Sequence, residues 1–395
     1  MGDSREMSSF CTYFDSHTCR SCPWIEQGYP EQIERKEAKV LETLGFFPEV
    51  PLEPSMGSLT QGFRNRVKLS VTGTLAEPIV GLLGPASELD DGRELLACPI
   101  HHPRLNELMA AMPALILKHR LVPYRIRERQ GELKGLIAFH SPHSRQTYLR
   151  FILRSEECIE RIRDAIPELQ DRFPHLKVVS ANLQPIPHAI LEGPEEVYLT
   201  EKRLIEHRLG DLVLKLSPQA FVQTHVEGAT QLYQAAARWI GSIRPERMLE
   251  LYCGQGAFSF FAAPEVGRIQ GFEIHPDAVR VANETARELG LDHVSFKQAD
   301  ATHVEAEILS FRPDLVLVNP PRRGLGEGIH LIERAQPAHW IYSSCDIKTL
   351  ASDLKKVQNG YELKRVQLFD LFPHTEHFET LVWLQRKGAA VGSPA

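Results

Sequence analysis

The second half of the chain alternates short apolar runs with amphipathic segments. Residues 248–252 form an apolar run that predicts a buried strand, and Gly254 and Gly256 follow it in a tight turn. Residues 257–263 continue as a helix with an apolar inner side. A strand, a glycine turn and a helix in this order open a nucleotide-binding α/β unit, whose ligand lies beyond the carboxyl end of the strand. A tight turn in an unrelated α/β protein is the alternative interpretation.

Further apolar runs extend this pattern towards the C-terminus. They predict strands at residues 268–273, 294–297, 315–318 and 340–343, a helix at 276–289, and two final strands at 363–368 and 378–384 that can pair as a hairpin. Five strands that alternate with helices, followed by a hairpin, predict a mostly parallel, doubly wound sheet. The fold class of residues 216–388 is therefore α/β and Rossmann-like.

The first half of the chain has a different pattern, which divides it into two parts. Residues 1–59 contain an amphipathic helix at 31–44, and a linker rich in Pro, Gly and Ser follows at 48–62. Residues 60–215 are expected to form an α+β domain of antiparallel strands. Its predicted strands are 64–71, 124–128, 133–139, 147–153, 177–185 and 211–216, and its predicted helices are 104–119 and 156–173.

Composition narrows the class of protein. The 395 residues are 43% hydrophobic with a formal net charge of −6, which is ordinary for a globular domain and excludes a histone-like polycation. No apolar run approaches the roughly 18 residues of a membrane-spanning helix, and the first ten residues lack the apolar core of a secretory signal. We therefore expect a cytoplasmic protein without membrane contact, and a monomer.

Basic residues are nevertheless concentrated on two segments of the central part. Arg64, Arg66 and Lys68 share the polar face of one predicted strand. A second group surrounds Tyr124 and contains Lys118, Arg120, Arg125, Arg127, Arg129 and Lys134. Such charges hold phosphate backbones, and aromatic rings stack on bases. A solvated surface is at least as good an explanation for each segment alone, but two basic segments in an acidic chain favour contact with RNA or DNA.

Cysteine spacing indicates a metal centre near the N-terminus. Cys11, Cys19 and Cys22 lie close together in the sequence, and Cys98 is followed by a proline. Four thiolates suit zinc or an iron–sulfur cluster, and a single C-x-x-C with a distant fourth ligand fits a [4Fe–4S] cluster better. Buried free thiols with one chance C-x-x-C are the alternative. The chain has seven cysteines, an odd number, and lacks an export signal, which argues against a disulfide framework.

Two cofactors fit the glycine turn. Glu273 lies 19 residues after Gly254, the position of a ribose-binding carboxylate, and this suits either a dinucleotide or S-adenosylmethionine. Asn319-Pro320-Pro321 at the end of the fourth strand favours a methyltransferase, because a dehydrogenase has no need of this turn. Arg322 follows where amino-methyltransferases place an aromatic residue, which indicates a different methyl acceptor.

Cys345 at the end of the fifth strand suggests that acceptor. The C5 carbon of a pyrimidine is a poor nucleophile until a thiolate adds to C6, and a general base must then remove the C5 proton. Glu379, near the C-terminal hairpin, is the candidate base. A small buried residue is the alternative role of Cys345, and an exposed strand acid is that of Glu379. Cys253 and Cys158 are expected to be structural.

These motifs together resemble those of the RNA 5-methyluridine methyltransferases, which use S-adenosylmethionine. The resemblance covers nearly the whole chain and includes LSPQAFVQTH, ELYCGQGAFS, GFEI, VNPPRRG and IYSSCD in this order. It implies that Gln223, Tyr252, Glu273 and Asn319 bind the cofactor. It also implies that Cys345 is the nucleophile, that Glu379 is the proton acceptor, and that Cys11, Cys19, Cys22 and Cys98 hold a [4Fe–4S] cluster.

The resemblance extends to a subgroup that acts on 23S rRNA. The tRNA enzymes of the family lack the N-terminal cysteines, and one group of 23S rRNA enzymes has an additional β-barrel before them and an Asp in the fourth-loop motif. This chain starts directly at Cys11 and has Asn319, which resembles the group that methylates uridine 747 of 23S rRNA. Three alternatives remain open: a nicotinamide oxidoreductase, an amino-methyltransferase and a non-catalytic RNA-binding iron–sulfur protein.

Overall fold

A computed structural model of the chain describes residues 9–84, 91–186 and 192–389. The first eight residues, which bear on the expected absence of a secretory signal, lie outside this range. No helix of the described residues combines the length and the apolar character needed to cross a membrane.

The N-terminal part contains a short helix, α1 (Thr12–Asp15), and a long helix, α2 (Tyr29–Leu44). Helix α2 buries one stripe of residues spaced four apart: Gln32, Lys36, Val40 and Leu44. Lys36 in this stripe forms an ion pair with Asp370, with 2.7 Å between Nζ and Oδ1, and both side chains are fully buried. Loss of one partner would leave an uncompensated buried charge, so this pair fixes α2 against the C-terminal sheet.

The predicted linker at residues 48–62 is tied to the C-terminal sheet. The backbone N–H of Glu53 donates to the carbonyl of Val366 at 2.7 Å, and that of Met56 donates to Leu368 at 2.8 Å. These bonds satisfy part of an otherwise open sheet edge. The Pro- and Gly-rich composition therefore marks an irregular segment that is attached to the sheet through residues 51–56.

The central part is built on a seven-stranded sheet. Its strand order is β3-β2-β1-β4-β5-β6-β7, and every neighbouring pair is antiparallel except β5 and β6, which are parallel. The strands are β1 (Arg66–Gly73), β2 (Pro78–Leu82), β3 (Arg93–Glu94), β4 (Leu133–Ser141), β5 (Gln146–Leu153), β6 (Leu176–Leu183) and β7 (Glu195–Tyr198). The helices are α3 (Pro103–Lys118) and α4 (Ile159–Arg172). The expectation of purely antiparallel strands was therefore wrong for the pair joined by α4, since a helical crossover returns the chain in a parallel direction.

The predicted strand at 124–128 was also wrong. Arg125 and Gln130 form an isolated antiparallel bridge around a reverse turn, so the residues between them belong to no strand. Tyr124, at the start of this segment, is buried at 4% exposure, and its ring lies 4.8 Å from Nζ of Lys134. Alternation over so few residues cannot distinguish a strand from such a turn.

A hairpin and a long helix connect the two sheets. The hairpin consists of β8 (Ile205–Leu209) and β9 (Leu212–Leu216) and is followed by α5 (Val226–Ile243). His225 caps α5, since its Nδ1 accepts from the N–H of Gly228 at 3.0 Å. Strand β8 and helix α5 were not predicted individually.

The C-terminal part contains the predicted doubly wound sheet. Its strand order is β12-β11-β10-β13-β14-β16-β15, with parallel pairs up to β14 and antiparallel pairs on both sides of β16. The strands are β10 (Arg247–Leu251), β11 (Arg268–Glu273), β12 (Val294–Gln298), β13 (Leu315–Val318), β14 (His339–Ser344), β15 (Tyr361–Phe369) and β16 (Glu379–Arg386). The helices are α6 (Ala257–Ala262), α7 (Pro276–Glu288), α8 (Glu305–Phe311), α9 (Ile329–Ala335) and α10 (Ile347–Val357). The final strand β16 therefore inserts between β14 and β15.

Candidate active site

A cavity of about 610 Å³ lies at the carboxyl ends of the C-terminal parallel strands. The hairpin β8–β9 and Arg66 of the central sheet close its other side. Its walls include every residue that the sequence predicted as catalytic or cofactor-binding: Gln223, Tyr252, Glu273, Asn319, Cys345 and Glu379. Residues from six separate segments of the chain therefore meet in one space of the size typical for ligand sites.

The glycine turn after β10 forms one wall of this cavity. Tyr252, Gly254 and Gly256 all have positive φ, at 60°, 53° and 82°. A Cβ atom on Gly256 would lie 2.5 Å from Cζ of Phe296, so this position requires glycine for space as well as for backbone conformation. Gly254 lines the cavity and has open space where a Cβ would stand, so the backbone there is accessible to a ligand, whereas Gly256 gives room to the buried Phe296.

Glu273, the last residue of β11, is held against this turn. Its Oε2 accepts from the N–H of Gly254 at 3.0 Å, and its Oε1 accepts from Ile274 and His275 at 2.9 and 3.0 Å. Three backbone donors stabilise an ionised carboxylate. The charge therefore stands at a fixed place beside the glycine turn, where the sequence spacing predicted it.

Cys345 and Glu379 are neighbours because β14 and β16 pair in a defined register. Ser344 lies opposite Thr380, so Cys345 and Glu379 occupy the next position beyond the paired residues. Cys345 is partly exposed towards the cavity, and Glu379 is only 1% exposed. The alternative in which Glu379 is an exposed strand acid is thereby wrong.

The surroundings of these two groups favour their neutral forms. Burial raises the pKa of Cys345, the Glu379 carboxylate adds to this effect, and the Arg322 guanidinium opposes it by hydrogen bonding the thiol. Burial also raises the pKa of Glu379 to about 7, and a hydrogen bond from Ser343 opposes that shift. A thiol and a carboxyl group that titrate near or above neutral pH are typical of nucleophilic and acid–base chemistry.

Further residues of the cavity were not assigned a role by the sequence reasoning. Glu250 of β10 is 1% exposed and accepts hydrogen bonds from the N–H and the hydroxyl of Ser259, and burial raises its pKa to about 8. Phe221 lies at the cavity with 68% of its side chain exposed. Two sequence signals could have indicated these residues. Glu250 is an acid inside an otherwise apolar strand, and Phe221 is an aromatic residue two positions before Gln223.

The four N-terminal cysteines line a second, smaller cavity of about 210 Å³. Cys11 and Cys98 are buried, whereas Cys19 and Cys22 are partly exposed. Burial raises the pKa of Cys22 to about 12, and the nearby thiols of Cys98, Cys19 and Cys11 add to this shift. Cys22 is therefore close enough to the other three thiols to interact with them electrostatically. Across the described ranges, no three His, Cys, Asp or Glu side chains are arranged to hold one metal ion.

Several of the basic residues predicted to contact nucleic acid have partners within the protein or face a cavity. Lys134 is 8% exposed, and its Nζ donates to the carbonyls of Gln184 and Ile186 at 2.7 and 2.6 Å. Lys118 and Arg125 pair with nearby glutamates. Arg64 faces the cysteine cavity and Arg66 faces the large one, so the polar side of β1 is only partly a surface.

Comparison with known proteins agrees with the site geometry. Residues 194–387 match the family described as tRNA (Uracil-5-)-methyltransferase. The chain is 38% identical to "23S rRNA (uracil(747)-C(5))-methyltransferase RlmC" of Escherichia coli O9:H4 (strain HS), over 95% of this chain and 100% of that protein. The protein of the same name from Shigella boydii serotype 4 (strain Sb227) has the same identity and coverage.

A solved structure shares the fold. It is the Pyrococcus abyssi tRNA (uracil-54, C5)-methyltransferase in complex with S-adenosyl-L-homocysteine, which superimposes with a TM-score of 0.76 at 22% identity, over 92% of this chain and 85% of that one. The α/β methyltransferase fold is therefore confirmed. The matched family and the relatives that align over nearly their full length show that the chain belongs to the S-adenosylmethionine-dependent RNA (uracil-C5)-methyltransferase family.

Proposed function

We propose that this protein methylates C5 of uridine 747 in 23S rRNA. The observation that carries the proposal is the 38% identity to enzymes of that activity, over 95% of this chain and all of theirs. The gathering of all six predicted site residues in one cavity supports it. The alternatives are C5-methylation of a different rRNA or tRNA uridine, and a non-catalytic RNA-binding iron–sulfur protein.

The large cavity suits S-adenosylmethionine, which supplies an activated methyl group when bound. Gln223, Tyr252, Glu273 and Asn319 are the residues proposed to hold it. Glu273 offers its carboxylate to hydroxyl groups of a ribose, and the backbone at Gly254 admits a ligand closely. Asn319 brings an amide to the end of β13, between the glycine turn and Cys345.

The residues beyond the cofactor site are proposed to process the uracil ring. The thiolate of Cys345 adds to C6, and the electron pair of the C5–C6 bond moves to C5, which takes the methyl group. Glu379 then accepts the C5 proton, the C5–C6 double bond reforms, and Cys345 leaves as thiolate. Arg322 assists the first step, because its guanidinium favours the charged form of Cys345.

The target base must leave its stack to reach Cys345, since C5 and C6 are inaccessible inside stacked RNA. Phe221 is well placed to receive it, because an aromatic side chain exposed to 68% at the cavity can stack on a base. Arg322 and Arg323 at the same cavity are exposed, and they offer positive charge to the RNA backbone. The RNA-contacting face is thus proposed to surround the cavity rather than the turn near Tyr124.

Mapping of 5-methyluridine by mass spectrometry tests the target. We expect 23S rRNA from cells that lack this gene to lose the modification at uridine 747 and to regain it when the gene is restored. A restored gene that carries Cys345→Ala should leave the site unmethylated. Retention of methylation at 747 together with its loss at another rRNA or tRNA uridine would contradict the assignment and support the alternative target.

The four N-terminal thiols are proposed to hold a [4Fe–4S] cluster that orders the N-terminal segment or positions RNA. They line one cavity, and thiolates are the ligands of such clusters. Among the described residues these thiols are not arranged around a single ion, which is compatible with a cluster, because each of its four irons is bound by one cysteine. We further propose the division of the chain into residues 1–59, 60–215 and 216–388, and a cytoplasmic, monomeric protein.

Anaerobic purification tests the cluster. We expect broad visible absorption and about four iron and four sulfide per chain. Cys22→Ser should lose most of this iron, whereas Cys158→Ser should keep it, because Cys158 is buried outside the cysteine cavity. Absence of iron and sulfide from anaerobic protein, or equal iron in both variants, would contradict the proposal.

A further inference from the structure

We propose that Ser343 is a positioning residue, which holds the carboxylate of Glu379 in the form and orientation that accept the C5 proton. The inference rests on the proposed function, in which Glu379 is the general base. It adds a residue whose hydroxyl has no part in bond making but determines whether the base can act.

A short hydrogen bond carries this inference. The Ser343 hydroxyl donates to Oε1 of Glu379 at 2.6 Å, and both residues are buried, at 0% and 1% exposure. An ionised carboxylate has only acceptors, so the hydroxyl stabilises the charged form by donating to it. In the described residues Oε2 receives no such donor, which leaves this oxygen available for a proton.

The backbone fixes both partners. Ser343 lies in β14 opposite Leu381, and Glu379 begins β16, so the ladder sets the separation of the two side chains. Glu379 also pairs with Phe369 of β15, which brings no titratable group to it. The hydroxyl is therefore presented to Oε1 by strand geometry rather than by a mobile loop.

The titratable groups around Glu379 do not stabilise its charged form in place of the Ser343 hydroxyl. The titratable groups that interact with it are Cys345 at the end of β14 and Tyr233 of α5, and both become negative when they ionise. Burial raises the pKa of Glu379 to about 7, and within the described part of the chain the Ser343 hydroxyl is the group that lowers it. Without that hydroxyl the carboxyl group would stay protonated over more of the neutral range.

The pH dependence of turnover tests the inference. The rate of proton removal rises with pH as Glu379 ionises, so a higher pKa moves the midpoint of this rise to higher pH. A hydrogen bond to a charged group corresponds to about one to two pH units, so Ser343→Val should shift the midpoint upward by that amount. The rate at pH 6 should fall about 10- to 100-fold and recover largely above the new midpoint.

Matched variants separate positioning from packing. Ser343→Thr keeps the hydroxyl in the same volume as valine and should restore the wild-type profile. Thr380→Val should leave the profile unchanged, because Thr380 has a buried hydroxyl next to Glu379 without a hydrogen-bond partner. Circular dichroism and S-adenosylmethionine binding identify any variant that fails to fold, in which case Ser343→Ala replaces Ser343→Val.

Two outcomes would overturn the inference. In the first, Ser343→Val has the same pH profile of turnover as the wild type. In the second, Ser343→Val lowers the rate by the same factor at every pH. Glu379→Gln distinguishes this from failure of the proposed function. If Glu379→Gln blocks turnover after an RNA adduct forms while Ser343→Val has no effect, only the role of Ser343 is wrong. If Glu379→Gln turns over normally, the general base itself is wrong.

Discussion

Replacement of Cys345 by alanine is expected to abolish methyl transfer, with a fall in turnover of at least about 10⁴-fold, and to leave S-adenosylmethionine binding within about twofold. In the proposed mechanism the thiol is the nucleophile that makes C5 of the uracil reactive, and among the described residues that line the cavity no other group offers a comparable one near Glu379. Cys253 also lines the cavity, but it is fully buried inside the glycine turn, where burial raises its pKa well above the usual range.

Transfer of labelled methyl groups into a 23S rRNA fragment measures this loss, and calorimetry measures cofactor binding. Cys158→Ala is the matched control, because Cys158 is buried at the N-terminus of α4, away from the cavity. We expect the control to retain wild-type turnover. Turnover by Cys345→Ala within tenfold of wild type would exclude a covalent mechanism and favour direct transfer to another acceptor.

The C-terminal sheet was predictable because each of its strands is a continuous apolar run. Strands buried on both faces leave this pattern, and the observed bounds of β10 to β14 differ from the predicted ones by one residue or less. The order of the final strands was not contained in the pattern. Insertion of β16 between β14 and β15 depends on tertiary pairing, and it is this insertion that places Glu379 beside Cys345.

The central part was less predictable because its polar residues serve several purposes. Lys134 lies on a strand in which every residue is buried, with its amine satisfied by two carbonyls and by the ring of Tyr124 at 4.8 Å. Its charge therefore suggested a surface that does not exist. Arg64 lines the cysteine cavity, and its contact with RNA stays a prediction.

The residues of the candidate site were found for different reasons. Glu273 followed from spacing relative to the glycine turn, which is a local property of one β-α-β unit. Cys345 and Glu379 followed from the chemistry of uracil methylation and from their positions at the fifth strand and the C-terminal hairpin, whereas Gln223 was added by the family resemblance. The role proposed for Ser343 rests on the structure alone, since a serine two residues before a cysteine does not reveal which carboxylate it contacts.

The position of the buried Glu379 beside Cys345 bears on the order of two proposed steps, addition of the thiolate and removal of the C5 proton. The Glu379 carboxylate raises the pKa of Cys345, and two negative charges this close oppose each other's formation. Addition of the thiolate to uracil consumes that negative charge, after which Glu379 can ionise more readily. The geometry thus favours base action after the covalent bond has formed.

Replacement of Glu379 by glutamine is accordingly expected to trap the reaction after methylation. Glutamine has the same shape and can still accept the hydrogen bond from Ser343 through its carbonyl oxygen, but it cannot take the C5 proton. We expect turnover to fall about 10²- to 10⁴-fold and a covalent protein–RNA adduct to accumulate. The adduct should appear as a shifted band on denaturing gels that contain both protein and labelled RNA.

The stability of Glu379→Gln should not fall, and the sign follows from the pKa of Glu379. Burial raises this pKa from 4.5 to about 7, so the folded state binds the proton more tightly than the unfolded chain does. The contribution of Glu379 to folding is therefore present below about pH 4.5 and is lost as pH rises through about 7. A neutral glutamine avoids that loss, and thermal unfolding at pH 8 should show equal or higher stability.

The double variant Cys345→Ala/Glu379→Gln completes the test, because an adduct that depends on Cys345 must disappear from it. Adduct in the single variant and none in the double variant would assign nucleophile and base to these two residues. Normal release of methylated RNA by Glu379→Gln would show that another group accepts the proton. A shifted band that persists in the double variant would assign the covalent bond to a residue other than Cys345.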